Sequence, residues 1–256
     1  MTEEFSLLDR KALVIGASNP IGRAIAVALA EAVADVAVAT TTRSQSEEVI
    51  ANSCSNEMWA LNRKSFAQSI DAASESDVNA LVERTVAEFG RLDVLVNAQD
   101  LPFAKPIAET SFDEWRRVMD ANVGSMFLAS KAAAKVMLAQ DKGRIINVAS
   151  VLGERGMANG SAYCTAQAGV FNLTRALALE FAREGINVNA IGAGWTEGMG
   201  IIGSDDERQK LERYLPYKRL AKPEEVAGVA VYLSSEASDY LTGQVVWVEG
   251  GALSHV

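Results

Sequence analysis

Cysteine and histidine are scarce in this sequence. Among 256 residues there are 2 cysteines, Cys54 and Cys164, and 1 histidine, His255. A disulfide framework needs more cysteines than this, so we expect reduced thiols and a cytoplasmic location. A zinc site gathers several Cys, His or carboxylate ligands, so zinc-dependent alcohol oxidation is disfavoured and no metal is expected. A Ser–His–Asp hydrolase is excluded unless His255 folds back onto the domain.

Long apolar runs and clustered basic charge are also missing. No stretch reaches the roughly 18 consecutive apolar residues of a membrane span, so we expect no contact with a membrane. The formal net charge is −9. Phosphate binding uses a clustered basic face, so a nucleic-acid partner is not expected. The segment MTEEFSLLDRK has no basic stretch followed by an apolar core, so it does not read as a secretory signal.

Short apolar segments alternate with longer amphipathic segments along the chain. The predicted strands are 11–15, 35–39, 58–61, 92–97, 144–149, 187–191 and 244–248. The predicted helices are 21–33, 46–53, 77–89, 112–139, 161–183 and 224–234. Apolar strands that alternate with helices indicate a parallel sheet covered on both faces. We therefore predict an α/β fold with a doubly wound, Rossmann-type sheet of seven strands, in one domain over 1–256.

The least regular segment is 195–216, in which glycines precede the charged run SDDERQKLER. It is either a solvated loop or a mobile lid over a substrate, and long loops often carry function. Trp195, Met199, Tyr214 and the nearby Tyr217 would give such a lid an apolar or mixed surface. We retain the substrate lid as the expectation.

The first predicted strand leads into a glycine-containing turn. Residues 13–24 read LVIGASNPIGRA, so Gly16 and Gly22 lie between the strand and the next helix. Glycines allow a tight turn and let a pyrophosphate approach the helix N-terminus, where free N–H groups favour anions. Two glycines in such a turn are weak evidence alone, but the position on the first strand strengthens it. We predict a dinucleotide phosphate site that also includes Ser18, Asn19 and Ile21.

The second predicted strand ends without the acidic residue that an NAD-binding fold usually places there. The chain instead continues through Thr41, Thr42 and Arg43. Hydroxyl groups and an arginine would tolerate a 2′-phosphate, whereas the alternative is that Arg43 is simply solvated. This pattern favours NADP as the cofactor and leaves NAD open.

Further motifs follow in a fixed order. They are FGRLDVLVNA, DANVGSMFLASKAA, GRIINVAS, GINVNAIGAG and LTGQVVWVEGG. With the glycine turn and Tyr163, this series resembles the short-chain dehydrogenase/reductase family over nearly the full length. The subgroup of 3-oxoacyl-carrier-protein reductases and sugar or steroid dehydrogenases is the most similar. The resemblance implies an NAD(P)-dependent oxidoreductase that interconverts a small-molecule carbonyl and a secondary alcohol.

The resemblance also implies roles for single residues. Tyr163 would be the acid–base residue, Ser150 would hold the substrate oxygen, and Asn122 would hold a water of the proton relay. Asp71 would meet the adenine, and Asn97 matches the first position of the family's Asn-Asn-Ala-Gly. The first four each have a structural alternative: Tyr163 as a core aromatic, Ser150 as a strand-end cap, Asn122 as a satisfied mid-helix polar group and Asp71 as a helix-start residue. Gly194 and Thr196 would also contact the cofactor.

The sequence departs from the family at several positions near the expected cofactor. Pro20 replaces a glycine of the turn, Ala98-Gln99-Asp100 replaces Asn-Ala-Gly, and Ala193 replaces a proline. In SAYCTAQAGV, Gln167 follows Tyr163 by four residues, so both side chains share one helix face. The family has lysine at this position.

That lysine would hydrogen-bond the nicotinamide ribose and favour the tyrosinate. Gln167 can do the first through its amide, but it carries no charge. A loss of ~2 pKa units of activation corresponds to roughly 2.7 kcal/mol. Three hypotheses remain: an NAD(P)-dependent reductase that is slower or relies on another charge, a degenerate binding or subunit protein, and nicotinamide-independent Ser–Tyr chemistry of halohydrin dehalogenase type. The first is favoured because Asn122, Ser150 and Tyr163 all remain.

The two longest predicted helices, 112–139 and 161–183, are rich in alanine. Small residues allow close helix approach, and family members commonly pair these helices across a two-fold axis. We therefore expect a homotetramer, with a dimer as the alternative.

Overall fold

A computed structural model describes residues 3–200 and 204–254. Its strands are β1 (Lys11–Ile15), β2 (Asp35–Ala39), β3 (Ser65–Gln68), β4 (Val94–Asn97), β5 (Gly143–Ser150), β6 (Ile186–Ala193) and β7 (Val245–Val248). They form one sheet in the order β3-β2-β1-β4-β5-β6-β7. Every neighbouring pair of strands is parallel. The predicted doubly wound fold is confirmed.

The helices alternate with the strands. They are α1 (Pro20–Glu31), α2 (Gln45–Ala60), α3 (Glu75–Phe89), α4 (Phe112–Met119), α5 (Ser125–Ala139), α6 (Ser161–Phe181), α7 (Asp205–Tyr214) and α8 (Pro223–Ser234). A π-helical turn, Asp120–Gly124, joins α4 to α5. The predicted single helix over 112–139 is therefore two helices with a widened turn between them.

Successive strand residues pack on opposite faces of the sheet. In β1, Val14 belongs to the cluster that includes Ile25 of α1 and Val226 of α8. Leu13 and Ile15 belong to the cluster on the other face, formed with α3 and α5. Because both faces are covered, the inner strands are rich in buried apolar residues on both faces, which explains their appearance in the sequence.

The third predicted strand is wrong. Residues 58–61 lie at the end of α2, and β3 lies instead at Ser65–Gln68. Ala51, Cys54 and Met58 are buried along one face of α2, at the spacing of a helix. A short apolar run does not distinguish a strand from a buried helical segment, and here the helical period was the stronger signal.

The segment 195–216 is more regular than predicted, because it contains α7. Ser204 caps this helix by accepting a hydrogen bond from the Glu207 amide, and the first turn is acidic. Residues 201–203 of the predicted lid lie outside the described residues, as does His255. The lid stays a prediction.

No helix within 3–200 or 204–254 is long and apolar enough to cross a membrane.

The order of the strands places a crevice at the carboxyl ends of the central strands. The chain winds outward in opposite directions from β1 and β4, so the carboxyl ends of these two strands flank the point where the winding reverses. Open α/β sheets bind ligands at this point.

Candidate active site

A cavity lies at the carboxyl ends of the central strands. The residues that line it come from the turn after β1, the ends of β4, β5 and β6, and the start of α6. They are Asn19, Ile21, Ala98, Asp100, Val148, Ala149, Ser150, Leu152, Tyr163, Ala193, Gly194, Trp195, Thr196 and Met199. The fold thus brings together six residues predicted as site residues, Asn19, Ile21, Ser150, Tyr163, Gly194 and Thr196. We call this the catalytic cavity.

The turn after β1 tolerates no side chain at its glycines. Gly16 has φ +94°, and a Cβ there would lie 2.5 Å from the Ala98 oxygen. A Cβ at Gly22 would lie 2.2 Å from the Gly16 oxygen. The Asn19 amide caps α1: its oxygen accepts from the Gly22 N–H at 2.8 Å, and its nitrogen donates to the Ala98 oxygen. The turn is therefore a narrow backbone cradle held against the loop after β4.

The donors at the end of β2 converge on one carboxylate. Glu47 accepts hydrogen bonds from the Ser18 hydroxyl at 2.9 Å, the Thr41 N–H at 2.7 Å and the Thr42 hydroxyl at 2.7 Å. The Thr41 hydroxyl and the Thr42 N–H also donate to it. Burial acts to raise the pKa of Glu47, but these hydrogen bonds outweigh it and hold the pKa below its usual 4.5. The site at the end of β2 is thus an anion site filled by a side chain of the protein.

Glu47 was not predicted from the sequence, because the acidic residue of an NAD-binding fold is expected at the end of the second strand and not in the helix that follows it. The available signal was Ser44, which starts α2 and places Glu47 at its first turn. Arg43 does not face this site: its guanidinium forms a two-pronged ion pair with Asp77, at 2.9 and 2.8 Å. Its role towards a 2′-phosphate stays a prediction.

Two other predicted cofactor residues have different surroundings. Asp71 lines a second cavity together with Thr41 and Thr42. The Asn97 side chain points into the core, where its nitrogen donates to Asn147 at 2.8 Å and to Ser130 at 3.2 Å. Any contact between Asn97 and a cofactor must therefore come from its backbone.

Ser150 and Tyr163 meet in the catalytic cavity. Ser150 is the last residue of β5, and Tyr163 lies in the first turn of α6, so the strand and the helix bring the two hydroxyl groups together. The Ser150 side chain lies close enough to the Tyr163 phenol to favour its ionised form and so acts to lower its pKa. Burial, and then the charge of Asp100, raise the pKa of Tyr163 well above its usual 10. Tyr163 is therefore a neutral phenol at physiological pH.

The partner of the Tyr163 hydroxyl is Asp100. The phenol donates to Asp100 Oδ1 at 2.7 Å. Burial raises the pKa of Asp100 from 3.8 to about 6, although hydrogen bonds from Tyr163 and Gln167 favour its ionised form. The sequence marked Asp100 only as a departure from the family, and nothing in the linear pattern showed that it would reach Tyr163.

Gln167 is buried next to Asp100 and the end of β5. Its oxygen accepts the Ser150 N–H at 2.8 Å. Its nitrogen lies 3.2 Å from Asp100 Oδ1 and 3.2 Å from Asn122 Oδ1. One neutral amide therefore ties the end of β5, the loop after β4 and the π turn together.

Asn122 lies in the π turn between α4 and α5, and such turns often occur at functional sites. Its oxygen accepts the Leu101 N–H at 3.0 Å, and its nitrogen donates to the oxygens of Leu101 and Val118 at 3.2 and 2.8 Å. Asn122 thus fixes the loop that carries Asp100. Its predicted role as a holder of water stays a prediction.

Gly194 and Thr196 follow β6 at the rim of the catalytic cavity. The Thr196 hydroxyl donates to the Gly194 oxygen at 3.1 Å, and a Cβ at Gly194 would lie 2.7 Å from the Glu249 Cα. Thr196 also bridges to Ala221. These contacts fix the chain as it leaves the sheet and passes over the cavity.

Comparisons with known proteins agree with this arrangement. A family model described as enoyl-(acyl carrier protein) reductase matches residues 16–252. The chain is 37% identical over 253 residues to a cis-4-hydroxycyclohexanecarboxylate dehydrogenase of Sinomonas cyclohexanicum, covering 98% of each chain. It is 34% identical to a 3-oxoacyl-[acyl-carrier-protein] reductase of Synechocystis sp., covering 96% of this chain and 98% of that one. A solved gluconate 5-dehydrogenase of Burkholderia cenocepacia J2315, in complex with NADP and tartrate, matches with a TM-score of 0.91 at 28% identity, covering 99% of each chain.

Proposed function

Since this chain belongs to the short-chain dehydrogenase/reductase family, we propose that it is an NAD(P)-dependent oxidoreductase that interconverts a carbonyl and a secondary alcohol. The observation that carries the proposal is that Ser150 and Tyr163 line the same cavity, beside the glycine turn. A hydroxyl pair of this kind can hold a substrate oxygen and exchange a proton with it. Gln167 stands at the position where members of the family have the active-site lysine.

The residues present fit a phosphate-bearing dinucleotide. Gly16 and Gly22 form a backbone cradle that a Cβ would fill, and this cradle lies at the N-terminus of α1, where phosphate groups bind favourably. The residues that would hold the cofactor are Gly16, Ser18, Asn19, Ile21, Gly22, Thr41, Thr42, Asp71, Gly194 and Thr196. When bound, the nicotinamide supplies or accepts the hydride of the reaction. NADP is the proposed cofactor, with NAD as the alternative.

Three side chains of the protein have proposed roles in substrate orientation and proton transfer. Ser150 orients the substrate oxygen, and Tyr163, as a neutral phenol, donates a proton to it during carbonyl reduction. Gln167 supplies no charge, but its three hydrogen bonds fix Ser150 and Asp100 around the phenol. We propose that Gln167 keeps the geometry of the family's lysine position and not its electrostatic effect.

The lining of the catalytic cavity suggests a class of substrate. Val148, Leu152, Trp195 and Met199 give it apolar walls, and its described lining residues include no lysine or arginine. Such a surface favours a neutral ketone or alcohol with an apolar body over a compact polyanion. An alicyclic secondary alcohol would place its ring against these side chains and its hydroxyl against Ser150.

The proposed function is tested by following the absorbance of NADPH and NADH with a panel of cyclic ketones, sugar acids and 3-oxoacyl thioesters. The expected result is turnover, fastest with cyclic ketones of apolar character. Cofactor binding is measured separately by fluorescence titration. Binding of a cofactor without turnover of any substrate in the panel, in both directions, would count against an oxidoreductase. Absence of binding would count against the cofactor site itself.

Glu47 is expected to weaken the binding of NADPH relative to NADH. Its carboxylate occupies the donors that a 2′-phosphate would use, and like charges repel. The change Glu47→Gln keeps the shape and removes the charge, so it should improve the affinity for NADPH about tenfold relative to NADH, a gain of about 1.4 kcal/mol. Isothermal titration calorimetry with both cofactors measures this ratio. Glu48→Gln, which changes an exposed neighbour, is the control and should leave the ratio unchanged.

We also propose a cytoplasmic homotetramer. Phe112 at the start of α4, Phe127 on α5 and Leu179 on α6 are exposed, at 65%, 48% and 84%. Exposed apolar side chains on these helices provide surfaces that a two-fold pairing would bury. Light scattering at micromolar concentration should give about four times the 27.3 kDa chain mass. A mass equal to one chain would contradict the proposal. The Leu179→Glu variant should have a lower mass in solution than the wild type.

A further inference from the structure

Asp100 lies between two cavities. One is the catalytic cavity, and the other is the second cavity, which opens beside α4 and the π turn. Among residues 3–200 and 204–254, Asp100 is the single residue that lines both. A carboxyl group at this place can exchange a proton with a group on one side and with water on the other.

The contact with the catalytic cavity is direct. Asp100 Oδ1 accepts the Tyr163 hydroxyl at 2.7 Å and is held by the Gln167 amide at 3.2 Å. The loop on which it lies is fixed in turn by Asn122, through the two hydrogen bonds to the Leu101 backbone. The carboxylate is therefore positioned against the phenol by three elements, α6, the π turn and the loop after β4.

No lysine or arginine of the described residues forms an ion pair with Asp100. From α6 it contacts Tyr163 and Gln167, with Cys164 beside the phenol, while Asn122 of the π turn binds the neighbouring Leu101 backbone. The ionisable groups that line the second cavity are Glu47, Asp71, Asp113, Arg116, Arg117 and Asp120. Arg116 has its own ion-pair partner in Asp113, at 3.6 Å.

From this geometry we infer that Asp100 is the proton-relay residue of the site, accepting the phenol proton of Tyr163 and passing it to water in the second cavity. The inference rests on the proposed oxidoreductase function. In alcohol oxidation, the O–H bond of the alcohol breaks and its proton bonds to the Tyr163 oxygen. The Tyr163 O–H bond breaks at the same time, and that proton bonds to Asp100 Oδ1. The C–H electron pair leaves the substrate carbon as hydride to the oxidised nicotinamide, and carbonyl reduction runs these steps in reverse.

This relay explains how a site without the family's lysine can use a tyrosine in both directions. A cation would favour oxidation by lowering the pKa of the phenol. Here the phenol stays neutral, and the base is a carboxyl group whose burial raises its pKa to about 6. A base with a pKa near the working pH transfers protons efficiently. Oxidation should therefore rise as the pH rises through about 6, because only ionised Asp100 accepts the proton.

Asp100→Asn tests the relay, because it keeps the size and a hydrogen-bond acceptor but cannot take up the proton. We expect oxidation at pH 7 to fall about 10²-fold, and the rise near pH 6 to disappear from the profile. Asp100→Glu, which restores a carboxyl group, should regain a rising limb. Asp113→Asn removes an exposed charge from the same cavity and is the matched control, which should keep the wild-type profile. A profile in Asp100→Asn that keeps its limb near pH 6 would overturn the relay.

A second measurement uses the wild-type protein without cofactor. Aspartate labelled with ¹³C at the carboxyl carbon should show one resonance with a midpoint near pH 6, and that resonance should be missing in Asp100→Asn. A midpoint for Asp100 in the usual range near 4 would overturn the relay even if the variants fail to fold. Absence of all turnover in the wild type would instead refute the oxidoreductase proposal, so the two failures are distinguishable.

Discussion

Tyr163→Phe is expected to lower the rate of carbonyl reduction by about 10²-fold or more, because it removes the general acid. The phenol donates to Asp100 Oδ1 at 2.7 Å and lines the catalytic cavity together with Ser150. Neither neighbour can replace it. Ser150 is a poor acid, and Asp100 reaches the substrate oxygen only through Tyr163 in the proposed arrangement. The measurement is the initial rate of NADPH oxidation at saturating ketone.

The loss should be chemical and not structural. The Tyr163 ring packs in a small apolar cluster with Val118, Leu152 and Ala166, and phenylalanine keeps those contacts. Asp100 would keep one donor, the Gln167 amide. The thermal midpoint and the NADPH affinity should therefore change little. Tyr240→Phe, which removes a fully exposed phenol, is the control for the loss of a tyrosine hydroxyl. Full activity in Tyr163→Phe would place the chemistry elsewhere in the protein.

The fold was predictable because its strongest signals are local. A buried parallel strand is apolar on both faces, as in β1 and β2, and a glycine turn follows the first strand. The third strand was misplaced because Met58 and Cys54 sit at a helical spacing that a short window does not separate from a strand. The helix α7 was missed because its sequence is almost wholly charged, so no apolar face marks it.

The site was only partly predictable, for a different reason. The sequence order of the motifs led to Ser150 and Tyr163 through the family resemblance, and the fold places both in the catalytic cavity. The contacts of Asp100 and Glu47 are instead set by loops that approach through space. Tyr163 and Asp100 are 63 residues apart in sequence, and a single sequence holds no signal for such a pair. The contacts of these two acidic residues, which most affect the proposed chemistry, could therefore not be predicted from the sequence.

Gln167→Lys is expected to move the rise of alcohol oxidation to lower pH by about 1 to 3 units, because a cation beside a carboxylate lowers its pKa by that amount. Gln167 Nε2 lies 3.2 Å from Asp100 Oδ1, so a lysine ammonium at this position can pair with Asp100 directly. The ion pair keeps Asp100 ionised below its present pKa of about 6. The same charge opposes the effect of Asp100 on Tyr163 and brings the pKa of the phenol down. Both changes favour oxidation at neutral and acidic pH.

The substitution also has a structural cost that must be separated from the effect of charge. Lysine has no acceptor, so the Ser150 N–H, which Gln167 Oε1 accepts at 2.8 Å, would lose its partner at a cost of about 1–3 kcal/mol. Gln167→Met is the matched control, since it loses the same acceptor, has a similar length and adds no charge. Methionine also removes a donor to Asp100, so its oxidation limb should move to higher pH, opposite to that of lysine. Initial rates of alcohol oxidation from pH 5 to 9, at saturating alcohol and cofactor, give the pH at which the rate rises in each variant. The same midpoint in both variants would mean that Asp100 does not titrate in the catalytic step.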